Sequence, residues 1–165
     1  MVELIVGRIE IPEPGADWRE AMRRRATSAR EMLSQHSSVI VLLEASGLSG
    51  PAAMRYRDAI LGNLMEADFP IEYAAHAFSL LDSYVYGLVI QEVSMGPRTP
   101  ESLNEPREPA AESRKSTAEP TDLSEYPHLT AVYEHALTFA YSFDGEFEFG
   151  LELILDGLER YRRAG

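Results

Sequence analysis

Apolar residues recur at helical spacing along almost the whole chain, and the last stretch, FEFGLELILDGLERYRR (147–163), carries the fullest pattern. Stepping 100° per residue puts Phe147, Leu151, Leu155 and Leu158 on one side and Phe149 and Leu153 on another. Gly150, Ile154, Gly157 and Tyr161 fall between them. The apolar arc covers about 240°, whereas a helix on the surface of a monomer needs only about 100° or more. Glu148, Glu152, Asp156, Glu159 and Arg163 are left as a narrow wet stripe. Such a helix has two surfaces to bury, one in the domain's own core and one against a second subunit. Each glycine inside a helix costs roughly 0.8–1 kcal/mol relative to alanine. Both lie on the seam, where a missing side chain lets another helix approach.

Upstream, MVELIVGRIEI places Val2, Ile5, Val6 and Ile9 at helical spacing with no capping residue before them, so it reads as the second half of a helix. PEPG (12–15) ends it. Asp17 caps a helix running from Trp18 to about His36, with Glu20 completing a capping box and Met22, Ala26, Ala29 and Leu33 inward. VIVLLEA, within 37–46, reads as a short helix, with a strand as the alternative for its β-branched run. After the turn GLSGP, a helix covers about Pro51–Ala67 with Met54, Ile60, Leu61, Leu64 and Met65 inward. Ile71–Met95 is a long helix whose only charges are Glu72, Asp82 and Glu92, which predicts burial nearly all round. Residues 96–122 hold five prolines among polar residues and read as a mobile loop. Helices over about 128–141 and from about Asp144 complete the chain. The expectation is all-α: a bundle of about six to seven helices in one domain, 1–165.

Composition narrows the chemistry. The chain has 165 residues and no cysteine, which excludes disulfides and thiolate metal sites and fits a cytoplasmic protein. A net charge of −12 argues against a nucleic-acid surface. The one basic run, Arg23-Arg24-Arg25, is a solvated helix face or an anion or ligand contact. No signal peptide is visible, and the apolar region 73–90 contains His76 and Asp82, which favours a buried helix over a membrane span. Glu125-Tyr-Pro-His128 matches half of a di-iron motif, but Pro127 interrupts it. His36, His76 and His135 are isolated in sequence, so no metal site is expected. There is no G-x-S-x-G, no cysteine nucleophile and no Gly-rich phosphate loop; no catalytic residue and no cofactor are assigned. A polar grouping on the long helix remains. Phe78, Ser79, Asp82 and Tyr86 share one face, and Tyr73, Leu80, Tyr84, Gly87, Leu88 and Gln91 the opposite one. Asp82 among apolar neighbours is costly unless paired or wet. It is either a structural ion pair or an acid on a pocket wall. Met22, Met32, Met54 and Met65 are core residues or adaptable pocket lining.

SLLDSYVYGLVIQE (79–92), the Pro-rich loop, EYPHL (125–129) and FEFGLELILDGLE (147–159) resemble the C-terminal regulatory domain of tetracycline-repressor-like transcription regulators. MVELIVGRIEIPEPGADWREAMR resembles that family's connecting helix, its acidic-proline turn and the Trp-bearing helix that follows. The resemblance implies an all-helical homodimer paired through a four-helix bundle, built from the long central helix and the last helix of each subunit. Tyr73, Leu80, Tyr84, Gly87, Leu88, Gln91, Phe149, Gly150, Leu153, Ile154, Gly157 and Tyr161 would then lie at the interface. It also implies a small-molecule pocket among 18–36, 38–46, 51–67 and the first half of 71–95. That pocket would be lined by Met22, Arg25, Ala29, Leu43, Met54, Leu61, Phe78, Ser79, Asp82 and Tyr86. The family's helix-turn-helix head has no counterpart in the sequence, so operator DNA would be bound through a missing N-terminal head and not by this chain alone. Positions expected to bear polar tetracycline contacts hold Gly7, Arg25, Ala29 and Leu43, and Ser83 and Gln91 replace the metal-associated His and Glu. These departures argue against a magnesium–tetracycline ligand. The expected function is effector sensing and dimerisation in a transcriptional repressor, without catalysis and without a membrane partner. The effector is a largely apolar small molecule. The alternative is a stand-alone helical small-molecule or lipid-binding protein, or a hydrolase-like enzyme, using the same pocket.

Overall fold

The computed structural model describes residues 5–36, 40, 50–95, 123–138 and 142–162. Among them the regular elements are helical: α1 (Trp18–Gln35), α2 (Pro51–Glu66), α3 (Ile71–Met95), a 3-10 turn (Leu123–Glu125), α4 (Pro127–Thr138) and α5 (Phe143–Arg162). These five helices have the sequence-derived boundaries to within a few residues. The short helix expected at 38–46 and the loop at 96–122 lie outside the described residues, apart from Ile40, which is helical and buried. The chain divides into two compact units, one formed by 1–94 with 147–165 and the other by 95–146.

Local chemistry explains where the first unit's helices start. Asp17 caps α1, its carboxylate accepting the Glu20 amide at 3.0 Å. Gly15 takes a positive φ of 74° in the PEPG turn, a conformation that glycine adopts without a Cβ penalty. Pro51 opens α2 at a position where its missing N–H has no intrahelical acceptor to lose.

The core of this unit is a layer of one stripe per helix. α1 contributes Trp18, Met22, Ala26, Ala29 and Leu33, α3 contributes Ala74, Ala77, Leu81, Val85 and Val89, and α5 contributes Phe147, Leu151, Leu155 and Leu158. Each Leu so buried contributes about 1.5–3 kcal/mol relative to leaving it exposed. Trp18 packs edge-on to Phe69 at 5.0 Å, joining the start of α1 to the α2–α3 connection.

Two expectations change. α2 is rotated from its expected setting. Its buried row is Ala53, Tyr56, Ile60, Asn63 and Leu64, while Met54 and Met65 are exposed. The helix is apolar on more than one face, and the row taken inward is the one whose Tyr56 reaches a partner on α1. α3 is not buried all round within this chain either. Leu80, Ile90 and Val93 are exposed, and so are Phe149 and Leu153 on α5.

In the second unit, Pro127 is the first residue of α4, so Glu125 and His128 straddle a helix start rather than sharing a helix face. The Ser142 hydroxyl accepts the Gly145 amide at 3.0 Å and so caps α5.

Candidate functional site

Where α1, α2 and α3 of the first unit meet, a charged cluster is sunk into the apolar layer. Arg25 is only 1% exposed. Its Nη2 donates to Asp82 Oδ1 on α3 in an ion pair, and its Nε donates to the Tyr56 hydroxyl on α2 at 2.7 Å. The guanidinium carbon stands 5.3 Å from the Tyr56 ring centre and 5.4 Å from that of Phe78, and the two rings meet edge to face. Asp82 on an apolar helix is therefore a paired acid.

The pairing is incomplete. Arg25 Nη1 is buried and has no hydrogen-bond partner. Arg57 Nε, one residue along from Tyr56, is buried and unpartnered as well, and its guanidinium carbon lies 6.0 Å from the same Phe78 ring. A buried donor without an acceptor costs about 1–3 kcal/mol. The cluster thus holds unused hydrogen-bonding capacity beside the Tyr56 and Phe78 rings.

Of the ten sequence-derived pocket residues, Met22, Arg25, Ala29 and Asp82 are buried, and Leu61, Phe78 and Tyr86 are partly buried and packed against the core. Ser79 is exposed, and Met54 is exposed to 58%, the opposite of its expected inward setting. Leu43 lies outside the described residues. Tyr56 and Arg57 belong to the cluster but were not singled out from the sequence. The available signal was the i, i+4, i+8 row Tyr56, Ile60, Leu64, which places a hydroxyl in an aliphatic stripe.

Each arginine of the basic run 23–25 is engaged by a different set of acids. Arg23 binds Glu20 and Glu152, Arg24 reaches Glu10 at 3.3 Å, and Arg25 takes Asp82. The wet stripe of α5 is likewise engaged: Glu152 accepts from both Arg19 and Arg23 at 2.5–2.9 Å, and Asp156 accepts from Arg19. These two arginines hold the Glu152 carboxyl below its ordinary range, Arg19 most strongly, and Glu152 in turn raises theirs. Farther along α1, Arg30 grips Glu92 of α3 through two hydrogen bonds of 3.0 and 3.1 Å.

The other sequence-derived set occupies the α3 and α5 faces of the same unit. Leu80, Gln91, Phe149, Leu153 and Tyr161 are exposed, while Tyr73, Tyr84, Gly87, Leu88, Gly150, Ile154 and Gly157 are half-buried. Tyr73 stacks obliquely on Tyr161 at 5.0 Å. The two α5 glycines prove unlike. A Cβ on Gly150 would fall 2.7 and 2.8 Å from Cζ and Cε2 of Tyr84, whose hydroxyl donates to the Phe147 carbonyl at 3.0 Å. A Cβ on Gly157 would meet nothing within 4 Å. Gly150 therefore has a reason within its own chain to lack a side chain, the Tyr84 ring packed against it.

A separate cleft of about 200 Å³ lies between Pro12–Pro14 and the α2 residues Asp58, Gly62, Asn63 and Glu66. Pockets for drug-sized ligands span about 300–1,000 Å³, so this cleft is small for an effector. Among the described residues no group of three or more His, Asp or Glu could hold a metal ion, and no helix is long and apolar enough to cross a membrane.

The class these observations define is an all-helical domain with a buried ion pair set into its apolar layer. Residues 11–162 match the Tetracyclin repressor-like, C-terminal domain family, and the chain belongs to that family. Solved structures agree in fold. ActR from Streptomyces coelicolor without ligand superposes with a TM-score of 0.70 at 20% identity, over 98% of this chain and 73% of that one. ActR in complex with actinorhodin gives 0.71 at 21%, over 98% and 74%. A possible TetR family transcriptional regulator from S. coelicolor A3(2) gives 0.68 at 28%, over 97% and 75%. The search of curated proteins found no match.

Proposed function

We propose that this chain senses a small-molecule effector through the Arg25 cluster and dimerises through α3 and α5, so that effector binding relieves DNA binding by a transcriptional repressor in the cytoplasm. The observation that carries the reading is the buried Arg25–Asp82 pair, bounded by Tyr56 and Phe78 and left with an unused donor. Apolar lining with a few polar groups that fix orientation is the usual make-up of a small-molecule site. The solved complex of ActR with actinorhodin supports it, since that protein of the same fold holds a small molecule. Met22, Ala29, Leu61, Phe78 and Tyr86, with Leu43 from the segment outside the described residues, would supply the apolar wall. Ser79 and Met54 would join it only at an exposed rim. Signalling requires that the effector bind two global states with different affinity. The chain acts in this reading as a sensor and not as a catalyst.

A thermal-shift screen of aromatic and lipid-like metabolites tests this. Some compounds should raise the melting temperature and titrate to saturation. Asp82→Asn alone is a poor probe, because removing one partner of a buried pair costs about 3–5 kcal/mol. Replacing both charges, Arg25→Met with Asp82→Leu, keeps the layer filled and is often neutral to stability. The best hit should bind this double variant at least tenfold more weakly. A library with no stabilising compound, or a hit indifferent to the double replacement, would remove the site.

A further inference from the structure

We infer that the effector site selects an anion, an aromatic compound carrying a carboxylate or an equivalent oxyanion, which completes the pairing of Arg25 and Arg57; this rests on the effector-sensing reading above. Charge is the first ground. Arg25 is matched by Asp82, but no ion pair among the described residues uses Arg57. The cluster therefore carries one surplus positive charge in a chain whose net charge is −12. Arg57 is partly exposed, but its Nε is buried without an acceptor, so an anion at this point gains both a charge partner and a hydrogen bond.

Geometry is the second ground. Arg25 Nη1 and Arg57 Nε are both buried donors without acceptors, and both guanidinium carbons lie within 6.0 Å of the Phe78 ring centre. An oxyanion accepting from both arginines would sit beside Phe78, the ring that both guanidinium groups approach. Guanidinium groups are suited to this because their fixed, planar donors match carboxylate oxygens. The aromatic part follows from the walls: Tyr56 and Phe78 present faces and edges that a flat ring can meet. A cationic ligand is disfavoured by the same surplus charge, and a neutral one can accept from these donors only in weaker bonds that leave the charge unmatched.

The test uses the full chain and aromatic carboxylates of one to three rings, each matched with its primary amide of nearly the same shape, for example 2-naphthoate and 2-naphthamide. Binding is measured calorimetrically to the wild type, Arg57→Met and Arg57→Lys. Arg57 is only partly buried, so its replacement leaves the Arg25–Asp82 pair in place, and unchanged melting temperatures check this. At least one carboxylate should bind ten or more times tighter than its amide. Arg57→Met should remove most of that difference, and Arg57→Lys should restore part of it. If amides bind as tightly as carboxylates, or if Arg57→Met has no effect, the preference for an anion is wrong while effector sensing stands. If no carboxylate in the set binds, the inference is also overturned, and the broader metabolite screen judges effector sensing independently.

Discussion

At the scale of single residues, Gly150 and Gly157 have the same helical position relative to the sequence pattern and opposite surroundings. Gly150 faces the Tyr84 ring at sub-van-der-Waals range for any Cβ, while Gly157 faces open space within this chain. Gly150→Ala should therefore displace Tyr84, weaken its bond to the Phe147 carbonyl, and cost about 1–3 kcal/mol, as overpacking usually does. Gly157→Ala should be neutral or should gain up to about 1 kcal/mol, since alanine loses less backbone entropy in a helix. The chain's one tryptophan, Trp18, is buried in the core, so its fluorescence during urea unfolding reports both changes. Equal effects of the two substitutions would contradict the structure.

At the scale of elements, α1 is the strut of the first unit. Its N-terminal half is fastened to α5 through Arg19, Arg23, Glu152 and Asp156, and its C-terminal half to α3 through Arg30 and Glu92. Glu152 is the shared acceptor, and its depressed proton affinity fixes the sign of the pH effect. A carboxylate held below its ordinary value of 4.5 adds stability above that value, and the stability is lost as pH falls through the lower, folded-state value. Its side chain is 38% exposed, so solvent screening limits the contribution to about 0.5–1 kcal/mol. Glu152→Gln should lower stability by that amount at pH 7, with the difference from wild type shrinking as the pH falls below the ordinary carboxylate range. Salt should shrink it too. A pH-independent difference would mean that Glu152 acts through packing instead.

At the scale of the whole molecule, the exposed α3 and α5 faces of the first unit bear on assembly. Leu80 is 48%, Leu153 58% and Phe149 67% exposed, alongside Val93 and Tyr161. Large apolar side chains exposed together on two helices of one unit suit a contact site. The homodimer proposed here would bury it, with Gly157 leaving room for the partner helix. Sedimentation at micromolar concentration should give twice the chain mass of 18.4 kDa, and Leu153→Glu should give the monomer without loss of helix content. A monomeric wild type would refute the dimer.

What the sequence determined by itself is local. The Asp17 cap, the Gly15 turn, the span of α3 and the buried stripe of α5 follow from short-range hydrogen bonds, backbone sterics and a 3.6-residue period. All of these operate within one or two turns of chain. The resemblance of 79–92 and 147–159 to a known family carried the fold class further than periodicity could. Tertiary structure decided which apolar face meets which neighbour. On α2 the period allowed several faces, and the contact of Tyr56 with Arg25, 31 positions away, selected one; Met54 and Met65 were left outside. Asp82 was legible as a residue needing a partner, but the partner lies 57 positions away on another helix. Tyr84 explains Gly150 across a gap of the same kind, from α3 to α5. A side-chain period records how much of a helix is apolar; only packing in three dimensions records what covers it.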